Sequence, residues 1–154
     1  AFRAGMQTAS QCFVTSEPVA LELEGVKTRV FMANTSGFDP YNTVLVTRRE
    51  LLESEPKLCA AMVKAFSAGW KSYLDDPSAT NKHMSQLNPT MSIEAMALSA
   101  EKQKALIEDD VTAMSGIGCM KTARWQRIAD ALVSLGELDT APDPATVFHW
   151  TLAD

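Results

Sequence analysis

Two kinds of hydrophobic pattern divide the chain. Up to residue 47, apolar positions come in short β-prone runs. Gln11-Cys12-Phe13-Val14-Thr15 is the first. Residues 26–33 form the second, with Val30 and Met32 alternating against Arg29 and Phe31. Thr43-Val44-Leu45-Val46-Thr47 is the third, a continuous apolar run of the kind buried on both faces of a sheet. Between the first two, Ser16-Glu17-Pro18 has the makings of a helix start: a hydroxyl cap, an acid in the first turn and an early proline. Val19, Leu21 and Leu23 give that helix its apolar side, and Gly25 is a natural stop. A turn-rich stretch, residues 34–42, precedes the third run. Strand, helix, strand, loop, strand predicts an α/β arrangement.

After Thr47 the spacing becomes helical. Thr47-Arg48-Arg49-Glu50 fits a capping box with Thr47 as the cap. A long helix is expected from near Pro56 through Leu58, Met62, Val63, Phe66, Trp70 and Leu74, spaced three or four apart. Asp76-Pro77 closes it and opens a shorter helix that Asn88-Pro89 ends. Residues 93–107 and 122–135 predict two more helices, separated by the turn Ser115-Gly116-Ile117-Gly118 and closed by Gly136. Ala141-Pro142-Asp143-Pro144 reads as a loop before a short terminal segment with Val147, Phe148 and Trp150. Three strands are few for a covered sheet, so either the helices pack on one another or a further segment supplies the missing layer.

Composition adds limits. A hydrophobic fraction of 46% and a charged fraction of 21% over 154 residues suit a globular domain with a core. The net charge of −5 argues against a general nucleic-acid surface, so no nucleic acid is expected as a partner. No apolar run approaches the roughly 20 residues that span a bilayer. The first residues show no leader pattern and the first is not Met, so a processed or truncated product is expected. Cys12, Cys59 and Cys119 stand far apart without metal-ligand spacing, and His83 and His149 are isolated. Neither a metal nor a cofactor is expected.

The order Ser16-Glu17-Pro18, Ser36-Gly37-Phe38-Asp39-Pro40-Tyr41 and Val44-Leu45-Val46-Thr47 is similar to substrate-binding proteins of the NMT1/THI5-like group. The likeness continues through Glu55-Pro56, Ala65, Gly69-Trp70, Tyr73-Leu74, Asp76-Pro77 and the Arg124-Trp125 helix ending at Gly136. Phe2-Arg3-Ala4-Gly5 resembles the group's lead-in to a Gly-x-x-Asp-Ala strand, but the Asp of that strand has no counterpart here. The resemblance implies an α/β fold of the type II periplasmic-binding-protein kind, two lobes closing over a ligand by hinge motion. This chain would be its carboxyl-terminal half. Residues 1–47 would hold the strand and helix end of the second lobe with the hinge crossing, and residues 48–154 a helical segment returning to the first lobe. The implied role is the solute-binding component of an ABC importer, periplasmic or otherwise extracytoplasmic and membrane-anchored, without catalytic chemistry. Its implied partners are a small-molecule ligand, a transporter permease, and either the missing amino-terminal half or a second copy.

In open α/β folds ligands sit beyond the strand ends. That directs attention to Ser16 and Glu17 at the first strand-to-helix junction, and to Ser36, Asp39, Tyr41 and Asn42 in the loop. Neither segment carries Lys or Arg, which argues against an anionic ligand. Glu17 and Asp39 suit a ligand with N–H groups, such as an aminopyrimidine, and Tyr41 or Phe38 could stack on its ring. Plainer roles stand beside these. Glu17 can serve the helix dipole, Ser36-Gly37 and Asp39-Pro40 can be turn residues, and Phe38, Trp70 and Trp125 can be core. The alternatives are a pyrimidine-precursor synthase of the same fold, whose cysteine-rich iron motif is absent here, and a helical interaction module.

Overall fold

The computed structural model describes residues 2–6 and 8–149; Trp150, the last aromatic residue considered above, lies outside them. Helices dominate. In chain order they are α1 (Glu17–Leu23), α2 (Arg49–Ser54), α3 (Pro56–Asp75), α4 (Ser78–Leu87), α5 (Ile93–Ile107), α6 (Asp110–Ser115), α7 (Thr122–Ser134) and α8 (Pro144–Val147), with short 3-10 turns at Phe2–Ala4 and Ala33–Ser36.

Local chemistry fixes most helix ends. The Ser92 hydroxyl accepts the Ala95 N–H at the start of α5, and Asp143 accepts the Ala145 N–H at the start of α8. Asp76 accepts the Ser78 N–H across Pro77 and so caps α4. Both α1 and α7 end in Schellman motifs. Gly25 at φ 74° donates to the Glu22 carbonyl while Val26 donates to that of Leu21. Gly136, also at φ 74°, donates to Val133 while Glu137 donates to Leu132. A side chain with Cβ would be strained at either glycine. The capping box expected at Thr47 does not form. Arg48 is the extended residue at the start of α2 and provides no side-chain cap, which leaves Thr47 outside the helix.

The three expected strands are not formed among the described residues. Residues 11–15, 26–33 and 43–47 have β-prone side chains, but a strand exists only when its N–H and C=O groups pair with a neighbour. Among the described residues these segments form no ladder, so propensity alone does not make a sheet. The helix-rich part of the expectation holds, while the sheet of an α/β fold is not seen here.

The chain divides into two units, each assembled from two stretches. The first comprises Ala1–Val30 with Ala68–Asp110, the second Phe31–Ser67 with Val111–Asp154. In the first, α5 packs on α1 and α4. Val19, Leu74, Met96 and Ala100 are buried there. The Asn81 side chain is buried with them and accepts a hydrogen bond of 3.1 Å from the Tyr73 hydroxyl. Burial pushes the Tyr73 phenol up from its ordinary pKa. Lys104 donates from Nζ to the Leu74 carbonyl at 3.2 Å, tying α5 to the last turn of α3. Lys102 and Glu22 bridge α5 and α1 at 2.9 Å.

In the second unit α7 packs on α8, and Ala129 and Pro144 are buried among its described residues. Ser67 donates to the Ile117 carbonyl at 2.8 Å, and Arg49 reaches the Thr146 carbonyl at 3.4 Å.

Candidate functional site

The loop at 34–42 is built in steps. Thr35 and Ser36 turn their hydroxyls back onto the carbonyls of Met32 and Ala33, each at 2.7 Å, which closes the 3-10 turn. Gly37, at φ 90°, ends that turn in a left-handed conformation that favours glycine. The chain then reaches Asp39, Pro40 and Tyr41, where α7 takes hold of it.

Arg124 is the centre of that hold. Its Nε donates to the Asp39 carbonyl at 2.7 Å. Its Nη2 donates to the Asp39 carboxylate at 2.8 Å and to the Pro40 carbonyl at 3.0 Å. The guanidinium also lies over the Tyr41 ring, 4.2 Å from the centroid. The planar fork of arginine suits three oxygens spread over two residues. The Tyr41 hydroxyl accepts the Lys121 N–H at 2.7 Å, satisfying one of the free donors where α7 begins. Behind Tyr41 the aromatic contact continues. Its ring lies 5.5 Å from that of Trp125, which stacks on Phe148 at 5.6 Å and 14° between planes. The Trp125 indole N–H is buried without a hydrogen-bond partner among the described residues.

Of the six residues singled out in the sequence, Ser36, Asp39, Tyr41 and Asn42 lie in the second unit, Ser16 and Glu17 in the first. The Asp39 carboxylate and the Tyr41 hydroxyl are engaged by α7, and the Ser36 hydroxyl by its own turn. Asn42 is exposed to solvent. Ser16 precedes α1 without a side-chain cap, and Glu17 is exposed in its first turn. Phe38 is largely exposed and is not core.

The sequence reading missed the residues that meet the loop: Lys121, Arg124, Trp125 and Phe148. Arg124 stands 85 positions from Asp39, and no local spacing announces such a pair. The site therefore holds a cation after all, although its charge is met by Asp39. A groove of 590 Å³ lies elsewhere, between α3 and α4, lined by Ala68, Lys71, Ser72, Asp75, Asp76 and Ala79. Lys71 and Asp75 pair with each other there at 3.2 Å, so neither presents a bare charge.

Among the described residues, no three His, Cys, Asp or Glu side chains gather as a metal site. Cys12, exposed, and Cys59 and Cys119, both half-buried, form no disulfide among the described residues. No described helix is long and apolar enough to cross a membrane.

Comparison with curated proteins finds no match, and comparison with solved structures finds none either. A family model does match, the one described as NMT1/THI5 like, over residues 4–80. That stretch contains all six residues singled out in the sequence, while Arg124 and its neighbours on α7 lie beyond it. The chain belongs to the NMT1/THI5-like family, which takes in ABC solute-binding proteins and proteins of thiamine-pyrimidine synthesis.

Proposed function

We propose that the chain is the carboxyl-terminal half of a solute-binding protein of an ABC importer, and that it binds a small nitrogen-rich ring without transforming it. The family match over residues 4–80 is the observation that carries this reading. In it, the chain contributes one wall of a cleft in a two-lobed α/β protein outside the cytoplasmic membrane, and delivers its ligand to a permease.

The chemistry of the loop supports a neutral or cationic ligand over an anion. Arg124 is the basic side chain held against the loop, and Asp39 and two backbone carbonyls already occupy it. An anion would have to displace a hydrogen-bonded carboxylate to reach that guanidinium, at a cost of the order of 2 kcal/mol. Exposed Asn42 offers an acceptor for ring N–H and amino groups, and Phe38 in the same loop offers an apolar face. Asp39 and Tyr41 then serve to hold the loop in shape for those groups.

Thermal unfolding and titration calorimetry on the gene product that contains this chain test the reading. The probes are 4-aminopyrimidine, riboflavin and taurine. Stabilisation by 4-aminopyrimidine is expected, about 2.7 kcal/mol at one hundred times the dissociation constant. Asn42→Ala should weaken it. Stabilisation by taurine alone would overturn the ligand class. Conversion of the pyrimidine would point to the biosynthetic branch of the family, and no response to any probe would leave a helical interaction module as the better reading.

A further inference from the structure

Helix α7 begins with charges of the unfavourable sign. A helix start presents free N–H groups and the positive end of its dipole, and acids are the residues favoured there. The first turn of α7 holds no acid, and Lys121, Arg124 and Arg127 recur every three residues over its start. Among the described residues, neither Lys121 nor Arg127 is paired with a carboxylate. The carboxylate that serves this cationic start is Asp39, from a loop 85 positions away, which accepts from Arg124 Nη2 at 2.8 Å.

The loop has other attachments to α7 than that carboxylate. Arg124 Nε donates to the Asp39 carbonyl at 2.7 Å and Nη2 to the Pro40 carbonyl at 3.0 Å. Both acceptors are backbone groups, which a change of the residue 39 side chain leaves in place. The Tyr41 hydroxyl and ring add contacts to Lys121 and Arg124. All these groups belong to the second unit. The carboxylate contact is also within reach of solutes, since the Arg124 side chain is 30% exposed and that of Asp39 43%. Among the described residues nothing accepts from Nη1. A guanidinium released from the Asp39 side chain would therefore present a fork to an oxyanion.

We infer that Asp39 is the specificity-determining residue of this loop: its carboxylate occupies a cation that would otherwise take an anionic ligand. The exposed groups beside it, Phe38 and Asn42, are thereby left to neutral or cationic solutes. Charge selection of this kind works by excluding the wrong class of ligand. The inference rests on the solute-binding reading for what the loop does, and adds which side chain sets the charge of the ligand.

Sulfate is the probe, titrated into the gene product that contains this chain and compared with sodium chloride at equal ionic strength. Asp39→Ala should bind sulfate about tenfold or more tighter than the unaltered protein, read by calorimetry and thermal unfolding. Asp39→Glu keeps a carboxylate and should show no gain. Adding Arg124→Gln to Asp39→Ala should abolish the gain. In nitrogen-edited NMR spectra the Arg124 Nε–H resonance should shift with sulfate in Asp39→Ala and stay in place in the unaltered protein. A saturating shift in the unaltered protein would show the guanidinium already open, and overturns the inference without any variant. Absence of a gain in Asp39→Ala overturns it while the Lys121 amide remains protected. Loss of that protection would instead make the carboxylate a structural tie of the loop, and overturns it equally. A gain that survives Arg124→Gln places the anion elsewhere and does the same. The pyrimidine reading is judged separately: failure of the unaltered protein to bind 4-aminopyrimidine removes that ligand and leaves the sulfate comparison standing.

Discussion

The two units are held by different forces. In the first, α1, α4 and α5 meet the end of α3 around Val19, Leu74, Met96 and Ala100, and apolar burial does most of the work. In the second, Ala129 and Pro144 are the buried residues among those described, and the Arg124 guanidinium gathers the 39–41 loop onto α7. Burial is non-directional, so the first unit tolerates exchange among apolar side chains of similar volume. The clamp is directional. It requires the planar fork of Arg124, two carbonyls, a carboxylate and an aromatic face in one arrangement. A region organised by directional contacts fixes a loop geometry, which is what a binding wall needs, but it has fewer ways to absorb a substitution.

Truncating the apolar core should produce the largest effect. Met96, on α5, is 6% exposed, and α5 packs on α1 and α4. Met96→Ala is expected to cost the first unit about 3 kcal/mol through lost transfer energy and a residual cavity. Met96→Leu should cost less than about 1.5 kcal/mol. Denaturant unfolding followed by residue-resolved hydrogen exchange measures both. A loss for Met96→Ala no greater than that for Met96→Leu would show that this core is not tightly packed.

Removing the clamp comes next. Arg124→Ala deletes three hydrogen bonds and the cation–ring contact, and it leaves Asp39 without its counter-charge. The Arg124 side chain is 30% exposed and that of Asp39 43%, so solvent screens part of the interaction. A loss of about 2 kcal/mol is expected, confined to the 39–41 loop and α7. Arg124→Lys should recover little of it, since one ammonium cannot reproduce the fork. Full rescue by lysine would reduce the contact to simple charge pairing. Exchange rates at the Lys121 amide, which Tyr41 accepts, would report the loosening locally.

This contrast also explains what could be read in advance. The span of helix α5, residues 93–107, was legible because its apolar positions recur at helical spacing, although the Ser92 cap that starts it was not read in advance. The Gly25 and Gly136 stops were legible because their signals are local. Helix α8 carries a local signal too, Asp143 followed by Pro144, where the sequence reading has a loop over 141–144 and a short terminal segment after it. The strands failed because pairing is a property of two segments, and no partner for residues 43–47 lies among the described residues. At the candidate site the loop was legible from its turn residues. Its anchoring was not, because nothing within a few residues of Asp39 points to Arg124.

The smallest expected effect concerns acid, and it bears on how the first unit's helices begin. Three carboxylates there sit below their ordinary pKa. The Arg3 guanidinium lowers that of Glu24 by hydrogen bonding. The Ser78 hydroxyl, and then its N–H, lower that of Asp76. The backbone N–H of Glu94, and then the Ser92 hydroxyl, lower that of Glu94. In each the charged form is favoured by folding. Their contribution is therefore fully present above the ordinary carboxylate pKa, about 4, and is lost as pH falls through the lower folded values. All three groups are solvent-exposed, so the effect should show as fraying at the starts of α4 and α5 rather than as global unfolding. Amide exchange at Ser78 and Ala95, compared between about pH 6 and pH 2 after correction for intrinsic rates, should show protection falling. Protection across α7, read in the same sample, supplies the reference for any global change. Asp76→Asn keeps an acceptor for the Ser78 N–H but does not titrate, so it should flatten the response at α4 and leave that at α5 intact. If the variant and the unaltered chain lose protection at Ser78 in parallel, the cap is not held by the Asp76 charge, and the acid response of the first unit must arise in its packing instead.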